Sequence, residues 1–492
     1  MNSGANDFDV IVVGCGIAGL SAAVSAQQAG ARVALLERTV KEERGGNTRY
    51  TESFWRMKSH DEVSDDFEEH LAANAGGYLD PEIIRDAGLP YDQWPPLLKG
   101  LGFTDPEVIA TLAENAGPTL NWLSSFGVKF DFLPNYFITQ STTRIAPAGG
   151  GLALVEALAS YAESVSDDIT IFYRTTAREL ILSENNAVTG LRAIDSDNCR
   201  VSFNAPAVIL ASGGFEGNPE MQSRYFGPAS QFIRPVARGG YFNRGEGVQM
   251  GLDAGAAPCG DFGSFHAQPV DPRSGQHEPV ILNFPYGILV NNRAQRFTDE
   301  APVTVDACYE AITREIMNQP KGIAYTICDA GLDDVPNWQK SVRTDQLPIE
   351  ADDVPSLAAA LGVESAVLEQ TISAYNAACP SGGEFKALEL DGLATQGLDP
   401  VKSNWARPLA RPPYRAWPVI AANCFTFGGL KADYRARVVN SEGATIAGLY
   451  AAGETAGLYY RSYTGATSVM RGAVFGRIAG RDAAELTRGQ ER

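Results

Sequence analysis

"DVIVVGCGIAGLSAAVSAQQAGARVALLER" spans Asp9 to Arg38. Asp9 to Val13 is a short apolar run rich in β-branched residues, the composition of a buried parallel strand, and Gly14, Gly16 and Gly19 follow at G-x-G-x-x-G spacing. The Ala-rich stretch after them reads as a helix to about Gln28, closed by Gly30, and Arg32 to Leu36 reads as a second strand ending at Glu37. In such a unit Gly14 makes the tight turn, Gly16 lets the backbone approach a pyrophosphate, and Gly19 lets helix and strand pack closely. The pyrophosphate rests on the positive end of the helix, and Glu37 accepts from a ribose 2′-hydroxyl. An acid at that position disfavours a 2′-phosphate, which leaves NAD or FAD as the ligand.

The 492 residues are too many for one hydrophobic core, so two or more domains are expected. With 44% apolar and 20% charged residues the composition is that of an ordinary globular protein. A formal net charge of −19 argues against nucleic acid and against an anionic membrane surface as partners. No apolar run reaches the length of a membrane span, and MNSGANDF at the N-terminus lacks the basic and apolar regions of a signal peptide. The seven cysteines are scattered, without a C-x-x-C pair, and read as free thiols in a reducing cytoplasm with neither metal nor iron–sulfur cluster. Four histidines (His60, His70, His266, His277) argue against a histidine-rich metal site.

ERGGNTRYTES (Glu43 to Ser53) is a polar, Gly-containing loop suited to lie along a cofactor. The acidic residues from about Ser59 to Glu69 read as a solvated helix face. Leu152 to Ala162 is helical in pattern after the flexible APAGGG (Ala146 to Gly151), and strands near Ile169–Tyr173, Thr176–Leu182 and Val188–Ile194 are spaced as a small meander. APAVILASGGF (Ala205 to Phe215) repeats the opening logic, a buried strand ending in small residues where backbone lies against a ligand. Composition changes near Asp261. Residues 261–405 hold Pro-rich and acidic loops with helices at Val354–Leu361 and Ser365–Ala378, and read as an inserted domain. The first domain (1–260) resumes over 406–492 with GATIAGLYAAGETAG (Gly443 to Gly457) and closes on a helix from about Thr467 to Leu486.

These blocks resemble the flavoprotein subunits of fumarate reductase and succinate dehydrogenase, with the related ketosteroid Δ1-dehydrogenases and tricarballylate dehydrogenases. The resemblance runs through GCGIAG (Gly14 to Gly19), ERGGNTRY (Glu43 to Tyr50), APAGGG, ILASGGF (Ile209 to Phe215), GILVNNRAQRFTDE (Gly287 to Glu300), FGGLKAD (Phe427 to Asp433), GLYAAGE (Gly448 to Glu454) and VFGRIAG (Val474 to Gly480). It implies FAD rather than NAD, an α/β fold with a Rossmann-like FAD-binding domain of the glutathione-reductase type, and an inserted α+β capping domain. It also implies that Glu37 binds the adenosine ribose, Glu454 the ribityl chain, and that Asn47 and Thr48 line the flavin. Further cofactor contacts carried over are Arg38, Gly46, Gly150, Gly151, Ala177, Ala211, Gly213, Ser468 and Val469. Relatives that tether FAD covalently use a histidine in the loop that here reads GGNTRYTE, so the absence of one there implies noncovalent FAD. The helix that starts near Thr467 points its positive end at the flavin pyrimidine in such proteins, a field that favours the reduced anion.

Where fumarate reductases have an Arg, a His and a second Arg that clamp a dicarboxylate, the corresponding stretches read SYTGA (Ser462 to Ala466), FTFGG (Phe425 to Gly429) and DEAPVTVDACY (Asp299 to Tyr309). Tyr463 and Phe425 stand in for two of those groups and the third stretch has no basic residue, which disfavours fumarate. RSYTGAT (Arg461 to Thr467) is similar to the R-x-Y-P-G-x-G of ketosteroid Δ1-dehydrogenases, without its proline and last glycine. That similarity implies an oxyanion hole from the Tyr463 hydroxyl and the Thr467 N–H. KGIAYTICDAG (Lys321 to Gly331) resembles the tricarballylate enzymes instead. The base that takes the α-proton is expected among Tyr309, Tyr286, His266 and Tyr136, although for any one of them packing is the more ordinary explanation. Arg461 is suited to a substrate carboxylate or to a salt bridge. The expected protein is therefore an FAD-dependent desaturase of a cyclic ketone, steroid-like or a smaller oxo-cycloalkane carboxylate, passing hydride to flavin N5 and electrons to an unidentified acceptor. Its alternatives are a polycarboxylate dehydrogenase or reductase and a flavin-binding protein without turnover.

Overall fold

Val10–Val13, Val33–Leu36 and Ala207–Leu210 are buried along their whole length, which is why they read as unbroken apolar runs. In the computed structural model, which describes residues 6–74, 76–77, 79–133 and 143–490, they form the middle of a six-stranded sheet. Its order is Arg437–Val439, Thr445–Ala451, Ala207–Leu210, Val10–Val13, Val33–Leu36, Ile169–Phe172, parallel except at the Arg437–Val439 edge. Val13 pairs with Leu36 and Leu210, and Leu210 with Ala451, so the four following loops open together at the carboxyl end of the sheet. Open α/β sheets bind their ligands at that end.

The Ile17–Gln28 helix packs along the last helix, Ser468–Gln490. A Cβ on Gly476 would lie 2.3 Å from the Ala18 carbonyl oxygen, and one on Gly480 2.2 Å from that of Ala22. This glycine stripe lets the two helices touch backbone to backbone, and both begin at the ligand end of the sheet.

Two expectations from chain order are corrected. Ile169–Phe172 is not part of the meander; it is the parallel edge strand beside Val33–Leu36, reached through the Gly150–Ser164 crossover helix. The meander's third strand is Arg200–Asn204, beside Val188–Ile194. The acidic stretch from Ser59 is helical only over Phe67–Ala73, and that helix buries Phe67 and Leu71.

A second sheet is organised by the long strand Tyr414–Thr426, which pairs with Arg234–Pro235, Phe265–Val270, Ile323–Cys328 and Ile349–Ala351, while Ile288–Asn291 pairs with Ile323–Cys328. It therefore draws strands from both sides of the 261–405 segment. The Val354–Leu361 and Ser365–Ala378 helices cover it, with Leu357, Leu368 and Tyr375 in one cluster with Ile288, Ile327 and Ala416. No helix among the described residues is long and apolar enough to cross a membrane.

Candidate active site

The loops at the carboxyl end of the large sheet surround a cavity of about 670 Å³. Gly14 turns at φ +105°, and a Cβ there would sit 2.5 Å from the Ala211 carbonyl oxygen; one on Gly19 would sit 1.8 Å from the Gly14 carbonyl oxygen. Packing fixes these two glycines. Gly16 differs, because it lines the cavity and a Cβ there has no protein atom nearer than 3.7 Å. Gly16, at the start of the helix, has no side chain with which to cap it, and Thr48 Oγ1 accepts from the Ile17 N–H at 3.2 Å. A helix start of this kind, open to the cavity at Gly16, is a cradle for a pyrophosphate. Glu37 lines the same cavity, aimed there by the Cys15 N–H on Oε2 (2.9 Å) and by the Thr39 N–H and hydroxyl on Oε1 (2.9 and 2.8 Å). Arg38 is held by Glu246 at 2.7 Å and by the Phe242 carbonyl.

The expected cofactor positions Gly46, Asn47, Thr48, Ala177, Ala211, Gly213, Glu454, Ser468 and Val469 all line this cavity. Gly150 and Gly151 are not among its lining residues: a Cβ on Gly151 would lie 1.7 Å from the Thr48 carbonyl oxygen, so these glycines support the Gly46–Tyr50 segment from behind. Asn47 donates to Glu216 at 2.5 Å and to the Cys424 carbonyl at 2.9 Å, which ties that segment to the end of the long strand of the second sheet.

Next to Cys424 the cavity is walled by Phe425, His266, Tyr309 and Tyr463. His266 Nε2 lies 2.7 Å from the Tyr309 hydroxyl, and the imidazole packs against Tyr463 and Phe425 with centroids 4.5 and 5.1 Å away. Burial, with the Arg314 charge adding to it, pushes His266 down to about 3. The imidazole is therefore neutral, and its tautomer sets which of the two groups donates across the bond to Tyr309. Burial, reinforced by Glu310 and Asp306, holds the Tyr309 phenol well above its ordinary value.

Tyr463 departs from the expected geometry. Its hydroxyl accepts from the N–H groups of Thr467 (3.0 Å) and Ser468 (3.1 Å) and donates to Ser468 Oγ (3.1 Å). The expected pair of parallel donors is a series instead, with the helix start feeding the phenol oxygen and the phenol proton at the cavity. The four-residue spacing is the cause, since it folds the hydroxyl back over the first helical turn. Thr467 itself is absent from the cavity lining; its hydroxyl donates to the Thr464 carbonyl at 2.6 Å and meets the Tyr459 hydroxyl at 2.7 Å. Tyr286 is also absent from the lining and donates to the Ala387 carbonyl at 2.6 Å beside Trp405, so it is a packing residue. Tyr136 lies outside the described residues. Arg461 is exposed and lines the cavity.

Several cavity groups were not picked out from the sequence. Glu310 takes Arg314 on Oε1 at 2.5 Å and the Tyr463 N–H on Oε2 at 3.2 Å, and burial lifts it to about 7 against the pull of Arg314. Arg144 grips both oxygens of Asp306 at 2.9 and 2.7 Å. Arg343 pairs with Glu52 at 2.8 Å, and burial with the Glu52 charge lifts Glu278 to about 8. The signal for Glu310 was present: Glu and Arg four apart, directly after Tyr309, on one helix.

Residues 9–469 match the FAD binding domain family. Fumarate reductase (cytochrome) of Shewanella frigidimarina is 26% identical over 490 residues, covering 98% of this chain and 77% of that protein. NADH:acrylate oxidoreductase of Vibrio harveyi is 26% identical over 411 residues; the match takes in 77% of this chain, which spans only 37% of that protein. Among solved structures, the 3-ketosteroid delta1-dehydrogenase of Sterolibacterium denitrificans shares the fold, with a TM-score of 0.71 at 19% identity, covering 98% of this chain and all of that one. The glycine cradle, the helix start open to the cavity at Gly16 and the oriented Glu37 fit the cofactor that this family is named for, and the match runs almost end to end; the chain belongs to the FAD binding domain family and binds FAD.

Proposed function

We propose that this flavin-dependent oxidoreductase is a dehydrogenase that introduces a carbon–carbon double bond next to the carbonyl of a cyclic ketone, steroid-like or a smaller oxo-cycloalkane carboxylate. The observation that carries the reading is the contact of Tyr463, neutral His266 and Tyr309 at one end of the cavity. FAD, when bound, supplies the acceptor for the hydride that leaves the β-carbon. The Tyr463 hydroxyl turns from Ser468 to the substrate carbonyl oxygen and, backed by the helix N–H groups, stabilises the enolate as the α-proton departs. Tyr309 takes the α-proton while its own passes along the 2.7 Å bond to His266. Imidazolium is unfavourable there in isolation; the enolate forming beside it offsets that charge.

Glu37 then binds the adenosine ribose, Glu454 the ribityl chain, and Asn47, Ser468 and Val469 the flavin. His266 and Tyr309 belong to the 261–405 segment, whereas Tyr463 and the glycine cradle belong to the large-sheet part. This division supports an α+β cap closing over a cofactor domain of the glutathione-reductase type. The Gly45–Glu52 loop contains no histidine, so FAD is expected to leave the chain on denaturation; yellow fluorescence retained by the band in a denaturing gel would contradict noncovalent binding.

A polycarboxylate substrate is the second reading, because Arg144, Arg314, Arg343 and Arg461 all line the cavity. Against it, the chain's own Asp306, Glu310 and Glu52 already hold the first three, at 2.7, 2.5 and 2.8 Å. Anaerobic mixing of the oxidised holoenzyme with candidate substrates separates the readings. Cyclic ketones are expected to bleach the flavin, and fumarate is expected not to reoxidise it. Bleaching by polycarboxylates alone would move the assignment to the second reading, and bleaching by neither class would leave a flavin-binding protein without turnover.

A further inference from the structure

Glu216 follows the SGGF segment, is 1% exposed and stays out of the cavity lining. Its Oε1 accepts from Asn47 Nδ2 at 2.5 Å and from Asn243 Nδ2 at 2.9 Å. Its Oε2 is buried and receives no N–H or hydroxyl donor; it is the Glu454 carboxyl that comes within hydrogen-bond reach of this side chain. Glu454 Oε1 accepts from the Thr426 N–H at 2.6 Å and the Thr426 hydroxyl at 3.0 Å, and Glu454 lines the cavity. The Gly214 backbone packs directly on Glu454, since a Cβ there would lie 2.1 Å from Glu454 Oε1.

Two touching carboxylates, one of them buried away from the cavity, disfavour ionising together. A single proton between them makes one a donor and leaves the other an acceptor. Their surroundings decide which is which. Glu454 has a backbone N–H and the Arg471 charge to stabilise an anion, whereas Glu216 Oε1 has only neutral amides. We propose that Glu216 is a positioning residue that keeps the proton, donates it from Oε2 to Glu454, and so holds the Glu454 carboxylate ionised and aimed at the hydroxyl groups of the FAD ribityl chain. The proposal rests on the reading of Glu454 as a ribityl ligand.

Burial raises Glu216 well above the ordinary carboxylate range, and the Glu454 charge raises it further, so it keeps its proton where an ordinary carboxyl has lost it. The other titratable and charged groups that face the pair are Arg471 on the last helix and the Cys424 thiol on the long strand, itself held well above its usual value. Asn47, Asn243 and Thr426 carry no charge.

The test is FAD release from the holoenzyme, read as free-flavin fluorescence from neutral to alkaline pH. Wild-type protein is expected to lose FAD progressively as the pH rises. Glu216→Gln keeps an amide donor toward Glu454, so it should retain FAD at neutral pH and lose the alkaline release. Glu216→Leu, without a donor, should bind FAD about 10–100-fold more weakly, the worth of a hydrogen bond to a charged group. Glu216→Gln that releases FAD as readily as Glu216→Leu, or Glu216→Leu that binds as wild type does, would overturn the proposal. Glu454→Gln separates the two levels. If it leaves FAD affinity unchanged the ribityl reading fails, and if it weakens binding while Glu216→Leu does not, only the role of Glu216 fails.

Discussion

Tyr463→Phe is expected to lower turnover by about 10²–10³, roughly 3–4 kcal/mol of transition-state stabilisation, with FAD content unchanged. The ring remains packed on His266 and Phe425, at centroid distances of 4.5 and 5.0 Å, so the cavity keeps its walls. What disappears is the proton presented to the substrate oxygen, together with the acceptor for the N–H groups of Thr467 and Ser468. Those N–H groups begin a helix, where water or the substrate oxygen itself satisfies them, which bounds the loss from above. Because the phenol bond strengthens as enolate charge develops, kcat should fall more than KM rises. Steady-state rates, single-turnover flavin bleaching and flavin content measured on one preparation check this. Full flavin with an unchanged bleaching rate would remove Tyr463 from the chemistry.

What the chain displays at short spacing was legible in the sequence; what depends on distant pairing was not. Gly14, Gly16 and Gly19 declare a pyrophosphate turn within six residues, and the structure gives each a distinct physical reason. Ile169–Phe172 was read with its neighbours in the chain, because nothing local reports that a crossover helix carries it to Val33–Leu36. The same limit applies at the site. Tyr463 and Thr467 are four residues apart and the sequence places them together, yet the Thr467 N–H donates to the Tyr463 hydroxyl instead of standing beside it, an arrangement that depends on where the last helix begins. His266 and Tyr309 meet across 43 positions, and Glu216 meets Asn47 across 169, separations at which one sequence carries no register. Tyr286 shows the converse: its type and its segment suited a base, and only its bond to Ala387 reveals a packing role.

Tyr309→Phe is expected to reduce turnover by about 10²–10⁴, the range for removing a general acid–base group, while the His266 imidazole loses its 2.7 Å partner. The variant also isolates the pH dependence. His266, held near 3, does not change charge between pH 5 and 8, so it gives turnover no inflection in that range. Glu310, held near 7, does. Below that value it is neutral; above it, an anion stands beside Tyr309 and favours the positive charge that forms on His266 during proton removal. Desaturation should therefore quicken as pH rises through about 7 and then level off. Glu310→Gln should hold the slow, low-pH rate throughout. An unchanged inflection in Glu310→Gln would assign it to another cavity group, and Glu278, held near 8, would place it about one unit higher. In Tyr309→Phe the Glu310 step should vanish along with the rate, because the charge it supports no longer forms; a residual step of full height would mean that the α-proton leaves by a route that does not pass through Tyr309.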